Sequence, residues 1–167
     1  MRILGLDPGL AVCGYGVVEA NGLSVDLCEA GTISTPAGVS LDKRLLRIHE
    51  ELSDLFDELR PEVAVVEGLY SSYRHPRTAI LMGHARGVLF VVAAMRSVAV
   101  VEYSATRIKS FLTGNGHASK RQMERMIGRV LGLAQVPRPD HVADALAAAL
   151  CHANAMMRGR AERRAVR

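Results

Sequence analysis

The tightest constraint on this chain is a strand, turn and strand pattern over its first eighteen residues. Met1-Arg2-Ile3-Leu4-Gly5-Leu6 is an apolar run of strand length, Asp7-Pro8-Gly9 is a tight turn, and Ala11-Val12-Cys13-Gly14-Tyr15-Gly16-Val17-Val18 returns as a second strand. Turn residues between two such runs read as a β-hairpin. A strand this apolar wants cover on both faces and belongs in the middle of a sheet. Asp7 then sits where the strand leaves the core, with its carboxylate on a rigid element. Gly5, Gly14 and Gly16 weaken a strand, and they mark places where a helix or a ligand comes close to the backbone. An isolated Asp-Pro-Gly needs no role beyond opening a turn. The weight given to Asp7 therefore depends on what stands at equivalent places further along.

Residues 22–34 supply a third strand, with Leu23, Val25 and Leu27 alternating. Ser40 caps a helix in which Leu41, Leu45, Ile48, Leu52, Leu55 and Leu59 recur at helical spacing until Arg60-Pro61 ends it. Lys43, Arg47, Glu50, Glu51, Asp54 and Asp57 form its solvated face. Residues 62–67 read as a strand buried on both faces, as in the parallel part of a sheet. Glu67 stands at its C-terminal end, the same placement as Asp7. Residues 69–76 form a loop in which Tyr70, Tyr73, Arg74 and His75, with Arg77 just beyond, mix aromatic and basic groups suited to nucleic acid.

A second long helix covers residues 78–95. Its Gly83 and Gly87 share a face with Ala79, so a partner helix from the same chain or from a second copy can approach closely. A fifth strand over residues 98–103 is followed by a short helix at 105–112 carrying Arg107 and Lys109. Ser119-Lys120-Arg121-Gln122 resembles a capping box and opens a helix to Leu131. After Val136-Pro137-Arg138-Pro139 comes an Ala-rich, mostly buried helix over residues 140–150. Its His141 and Asp144 lie on one face. Asp140 fits an N-cap. Asp144, in the second turn, does not, and a carboxylate on a buried helix needs a metal or an opposite charge.

A length of 167 residues suits one domain, residues 1–157, followed by a disordered basic tail, residues 158–167. Aromatics are scarce and Trp is absent, which excludes base stacking as the dominant mode of any nucleic-acid contact. Cys13, Cys28 and Cys151 form no CxxC pair, so buried free thiols in a reducing compartment are expected rather than disulfides or a zinc site. No signal-peptide pattern is present, and the apolar stretch at residues 87–95 is short for a bilayer, so a cytoplasmic protein without a membrane partner is expected. Charge is polarised along the chain. Residues 1–69 carry five Lys or Arg against twelve Asp or Glu, whereas residues 70–138 carry eleven against two. Such asymmetry fits a surface facing a polyanion, with acidic groups at its edge.

The candidate ligands are thus Asp7, Glu67, His141 and Asp144, which converge if the two strands are neighbours and the last helix lies beside them. Hard oxygen donors suit Mg²⁺ or Mn²⁺, and an imidazole nitrogen shifts preference towards Mn²⁺. Two such ions about 3.5–4 Å apart would activate a water and stabilise the leaving oxygen in phosphodiester cleavage.

These residues carry a resemblance. Ile3-Leu4-Gly5-Leu6-Asp7-Pro8-Gly9 with Gly14-Tyr15-Gly16-Val17, the strand ending at Glu67, Ala85-Arg86-Gly87 and Asp144-Ala145-Leu146-Ala147 resemble the RuvC family of Holliday junction resolvases, in order and with matching spacing. The resemblance implies an α/β, RNase H-like fold: a five-stranded mixed sheet, first three strands antiparallel, flanked by α-helices. It implies a homodimer that nicks four-way DNA junctions symmetrically with a divalent metal, leaving 5′-phosphate and 3′-hydroxyl ends, and a branch-migration motor complex of the RuvA/RuvB type as partner. Asp7, Glu67 and Asp144 match three of the family's four catalytic acids. The fourth position, usually Asp, is His141 here, as in a subset of the family, which bears on metal preference. Tyr70 matches an aromatic that engages DNA near the crossover, and Lys109 and Lys120 match basic positions near the cleaved strand. Arg74, Arg77 and Arg121 extend that basic set. Gly83, Arg86 and Gly87 fall on the family's dimer-forming helix.

Two other readings fit parts of the pattern. An ATP-binding protein of the actin and sugar-kinase type also begins with such a hairpin, but it needs two related halves, and no second Gly-rich hairpin follows. A junction-binding module that has lost catalysis would explain His141, but not the other three carboxylates.

Overall fold

The computed structural model describes residues 1–22, 24–68, 76–135 and 138–165. Leu23, the loop residues Tyr70, Tyr73, Arg74 and His75, and Val136-Pro137 lie outside the described residues. The elements run β1 (Arg2–Asp7), β2 (Val12–Asn21), β3 (Ser24–Ser34), α1 (Leu41–Leu59), β4 (Val63–Glu67), α2 (Pro76–Met95), β5 (Ala99–Tyr103), α3 (Ala105–Thr113), α4 (Lys120–Val130) and α5 (Asp140–Ala165). The strands form one sheet in the order β3-β2-β1-β4-β5. β1 is central, antiparallel to β2 and parallel to β4, and β4 is parallel to β5. The five-stranded mixed sheet expected from the sequence is therefore present, with its first three strands antiparallel.

Alternation along the central strands divides the core in two. Leu4, Leu6, Val17, Ala64 and Val66 meet Ile48, Leu52, Leu55 and Phe56 of α1 and Ala85, Leu89, Val92 and Ala93 of α2. Ile3, Val18, Val63 and Val65 face Ile108 and Leu112 of α3, Ile127 of α4 and the apolar side of α5. The sheet is sandwiched between helical layers, which is why its central strands read as continuous apolar runs.

The glycines of the opening hairpin explain how α5 lies so close. A Cβ on Gly5 would run into the Ala145 carbonyl and stand 2.9 Å from the Ala149 nitrogen, and one on Gly14 would strike the His141 carbonyl. A Cβ on Gly16 would meet the Leu146 side chain. The close approach inferred from these glycines is that of a helix, and the Ala-rich sequence of α5 lets its backbone rest on bare strand backbone.

Several local expectations change. Cys28 is exposed, because β3 is an edge strand with one face to solvent, whereas Cys13 and Cys151 are buried as expected. Ser40 occupies the N-cap position of α1 but makes no side-chain cap bond, while Ser119 and Gln122 do form the capping box. Asp140 is the first residue of α5 rather than its cap. α5 also runs to Ala165, beyond the segment that foretold it and into the Arg-rich stretch. Residues Arg77–Met95 of α2, with mean hydropathy 1.6, are long and apolar enough by length and composition to cross a membrane, which the uninterrupted apolar run alone did not show.

The glycine contacts set a stability test. Gly5→Ala should cost about 3 kcal/mol by chemical denaturation, because backbone atoms on the far side cannot move aside as a side chain would. Gly83→Ala, with nothing within 4 Å of the new methyl group, should leave the monomer unchanged or stabilise it by up to about 1 kcal/mol.

Candidate active site

Three elements deliver the site, and strand register does most of the delivery. The parallel ladder of β1 and β4 ends at Leu6 opposite Val66, so Asp7 and Glu67 leave the sheet side by side at the same end. Across the hairpin Asp7 pairs with Gly14, whose bare α-carbon receives the main chain of His141. His141 Nδ1 stands 2.6 Å from Asp7 Oδ2. One turn on, Asp144 is exposed while Val142, Ala143 and Ala145 are buried. The sequence placed Asp144 among buried alanines. The helix instead turns His141 and Asp144 together towards the open end of the sheet, so Asp144 needs no buried partner.

The carboxylates disturb one another. Partial desolvation, then repulsion from Asp144 and Asp7, raises Glu67 above the ordinary glutamate range, and Lys109 opposes the rise. Asp144 is raised by desolvation and by Asp7, against the pull of Lys120 and His141. Lys120 is raised in turn, first by Asp144 and then through its contact with Asp140, whose Oδ2 is 3.4 Å from its Nζ. Glu67, Asp144, Lys109 and Lys120 share the rim of a cleft of about 210 Å³ whose floor includes Ile108, Met123 and Ile127. A wider groove of about 960 Å³ continues along α4 past Arg121, Arg125, Arg129 and Arg138.

The structure thus brings together Asp7, Glu67, His141, Asp144, Lys109 and Lys120, with Arg121 exposed beside them. Arg77 is exposed near the start of α2. Tyr70 and Arg74 fall outside the described residues. Gly83 and Gly87 are exposed on α2. Arg86, grouped with them from the sequence, lies on the flank of the helix between that face and the core: it is buried, and its Nη1 donates to the Glu67 carbonyl at 2.8 Å. Sequence reasoning also passed over Glu102, which pairs with Arg86 at 2.6 Å. The signal available was an acid at the end of the apolar run that forms β5.

A family model for the crossover junction endodeoxyribonuclease RuvC matches residues 3–152. The chain belongs to the RuvC family. The RuvC of Chloroflexus aggregans is 45% identical over 153 residues, covering 92% of this chain and 93% of the relative. The structure of Thermus thermophilus RuvC in complex with a Holliday junction substrate superimposes with a TM-score of 0.90 at 36% identity, covering 95% of this chain and 96% of that one. The yeast mitochondrial Holliday junction resolvase shares the fold, with a TM-score of 0.66 at 15% identity, over 94% and 80% of the two chains. The RNase H-like fold and the hydrolytic activity on DNA junctions expected from the sequence are those of this family, whose members are divalent-metal-dependent nucleases.

The residues present fit such a metal by chemistry. Three carboxylates and an imidazole offer hard oxygen donors with one nitrogen, and a cation among them would relieve the repulsion that raises Glu67 and Asp144. Among the described residues no three His, Cys, Asp or Glu side chains stand at ligand spacing, and like-charge repulsion opposes their closing up unaided.

Raised carboxylates destabilise the folded chain in their charged form. That penalty is absent below the ordinary carboxylate range and grows as pH rises through the raised values, so metal-free stability falls over that window. At pH 7.5 in chelator, Glu67→Gln and Asp144→Asn should melt about 1–3 °C above the unmodified chain. Mn²⁺ should raise the melting temperature of the unmodified chain and do little for the variants. Variants that melt lower in chelator would contradict this electrostatic picture.

Proposed function

We propose that Asp7, Glu67, His141 and Asp144 are the catalytic, metal-holding set of this resolvase, with Mg²⁺ or Mn²⁺ as cofactor and two ions per site. The observation that carries the reading is convergence: two strand ends and one exposed helix edge, far apart in sequence, present these four groups at one end of the central sheet. Divalent ions bound there supply Lewis-acid activation of a water and stabilisation of the leaving 3′-oxygen. The chain's own contribution is placement and charge. Asp7, Glu67 and Asp144 provide the oxygens, and His141 holds the Asp7 carboxylate while adding a nitrogen donor suited to Mn²⁺. Lys109 and Lys120 face the same cleft and offset the charge of the scissile phosphate. Arg121 and Arg77 extend the phosphate-binding surface; Tyr70, by the family resemblance, and Arg74, by the mixed aromatic and basic composition of its segment, are the further DNA-contacting residues.

The active form is a homodimer formed through α2. One side of α2 is in the core, while Ile80, Gly83, Gly87, Val91 and Met95 are exposed, with open space where Cβ atoms would stand on both glycines. Those features support a second copy, rather than a bilayer, as the cover for its apolar face, since a membrane-spanning α2 would have to leave the core. Paired subunits then make symmetric nicks in opposing strands of a four-way junction, leaving 5′-phosphate and 3′-hydroxyl ends. A RuvA/RuvB-type motor complex as partner and a cytoplasmic location follow from the family reading.

Cleavage of a synthetic mobile four-way junction in Mg²⁺ and in Mn²⁺ tests the assignment. Asp7→Asn, Glu67→Gln and Asp144→Asn should each lose more than about 100-fold in cleavage rate while junction affinity stays within about threefold, since binding rests on phosphate contacts. Full activity in any of the three refutes the assigned set. His141→Asp should lower the ratio of Mn²⁺- to Mg²⁺-supported rates. Lys120→Ala should reduce the salt slope of junction binding by about one.

A further inference from the structure

We propose that Arg86 is a positioning residue for Glu67, fixing the main chain that carries this carboxylate. The inference rests on the reading of Glu67 as a metal-holding group. Arg86 is only 6% exposed, and an interior guanidinium needs its charge and donors matched. Its Nη1 donates to the Glu67 carbonyl at 2.8 Å, and its Nη2 lies 2.6 Å from Glu102 Oε2. The guanidinium carbon lies 5.2 Å from the centre of the Phe90 ring. The planar fork therefore spans the ends of two neighbouring strands, β4 through a carbonyl and β5 through a carboxylate.

This clamp lies where β4 loses support. The ladder with β1 stops at Val66, one residue before Glu67. Beyond it, Glu67 is aligned with Tyr103 of β5, Gly68 donates to the Tyr103 carbonyl at 2.8 Å, and the Glu102 carboxylate turns back to within 3.8 Å of where a Gly68 Cβ would be. Arg86, buried on the flank of α2, is the side chain that ties this strand end to both β5 and the helix. A guanidinium suits this task because one planar group donates a hydrogen bond to the Glu67 carbonyl through Nη1 and places Nη2 beside the Glu102 carboxylate as an ion pair rather than an aligned hydrogen bond, which a single ammonium does not do.

The test uses the full chain and reads Mn²⁺ binding by isothermal titration calorimetry, with junction cleavage and junction affinity alongside. Arg86→Lys keeps the charge but loses the fork, and should bind Mn²⁺ about 10-fold more weakly, with cleavage partly recovered at higher Mn²⁺ and junction affinity unchanged. Arg86→Met should lose more. Glu102→Gln, at an exposed carboxylate, should show a smaller loss in the same direction. Folded Arg86 variants with unmodified Mn²⁺ affinity overturn the proposal and leave Arg86 a filler of the interior. If the Arg86 variants do not fold, Glu102→Gln decides, and unaltered Mn²⁺ affinity there overturns it. Glu67→Gln separates the two readings. Mn²⁺ binding that ignores Glu67→Gln removes the site assignment itself, and binding lost in Glu67→Gln but kept in the Arg86 variants removes only this inference.

Discussion

The parallel pairing of β1 with β4 runs from Ile3 opposite Val63 to Leu6 opposite Val66, and the next residue on each strand is an acid. Because both strands point the same way, both acids emerge at one end of the sheet, on backbones held by apolar packing on two faces. Among the described residues this pairing is what brings Asp7 and Glu67 together, although 59 residues of hairpin, edge strand and helix separate them in the chain. An antiparallel arrangement of the same two strands would put them at opposite ends.

The second requirement is that α5 come close without displacing the sheet. Gly5, Gly14 and Gly16 strip one face of the central hairpin, and the alanines of α5 settle into the space. The same contact sets the height of His141 above Asp7 and turns Asp144 towards the cleft. Packing and chemistry are therefore one decision in this region. The residues that make the helix fit also aim its two functional side chains. The carboxylates gathered there are partly desolvated and repel one another, so the site is a local electrostatic cost that the packing of the rest of the sheet outweighs.

Most of the fold and the centre of the site were legible in the sequence for physical reasons. Apolar runs marked four of the strands and apolar alternation marked the third, and acids at the ends of two of the apolar runs marked Asp7 and Glu67. His141 and Asp144 were visible because a helix repeats every three to four residues. Other features depend on tertiary geometry that no local pattern encodes. Whether the hairpin glycines met a helix or a ligand required α5 to be in place. Asp144 read as buried because its neighbours are, although a helix edge can open onto a cleft. Arg86 sits three and one residues from the exposed Gly83 and Gly87, but a helix turns about 100° per residue, and its side chain lies buried on the flank between that face and the core. Cys28 lies in a strand whose edge position becomes apparent only from the strand order.

The most direct measurement is anomalous diffraction from crystals of the full chain soaked in Mn²⁺. We expect metal density among the carboxylates of Asp7, Glu67 and Asp144, with the His141 ring adjoining it, and loss of that density in Asp7→Asn crystals. Mn²⁺ bound elsewhere, or density that persists unchanged in Asp7→Asn, would contradict the convergence of β1, β4 and α5 on a single metal-dependent active site.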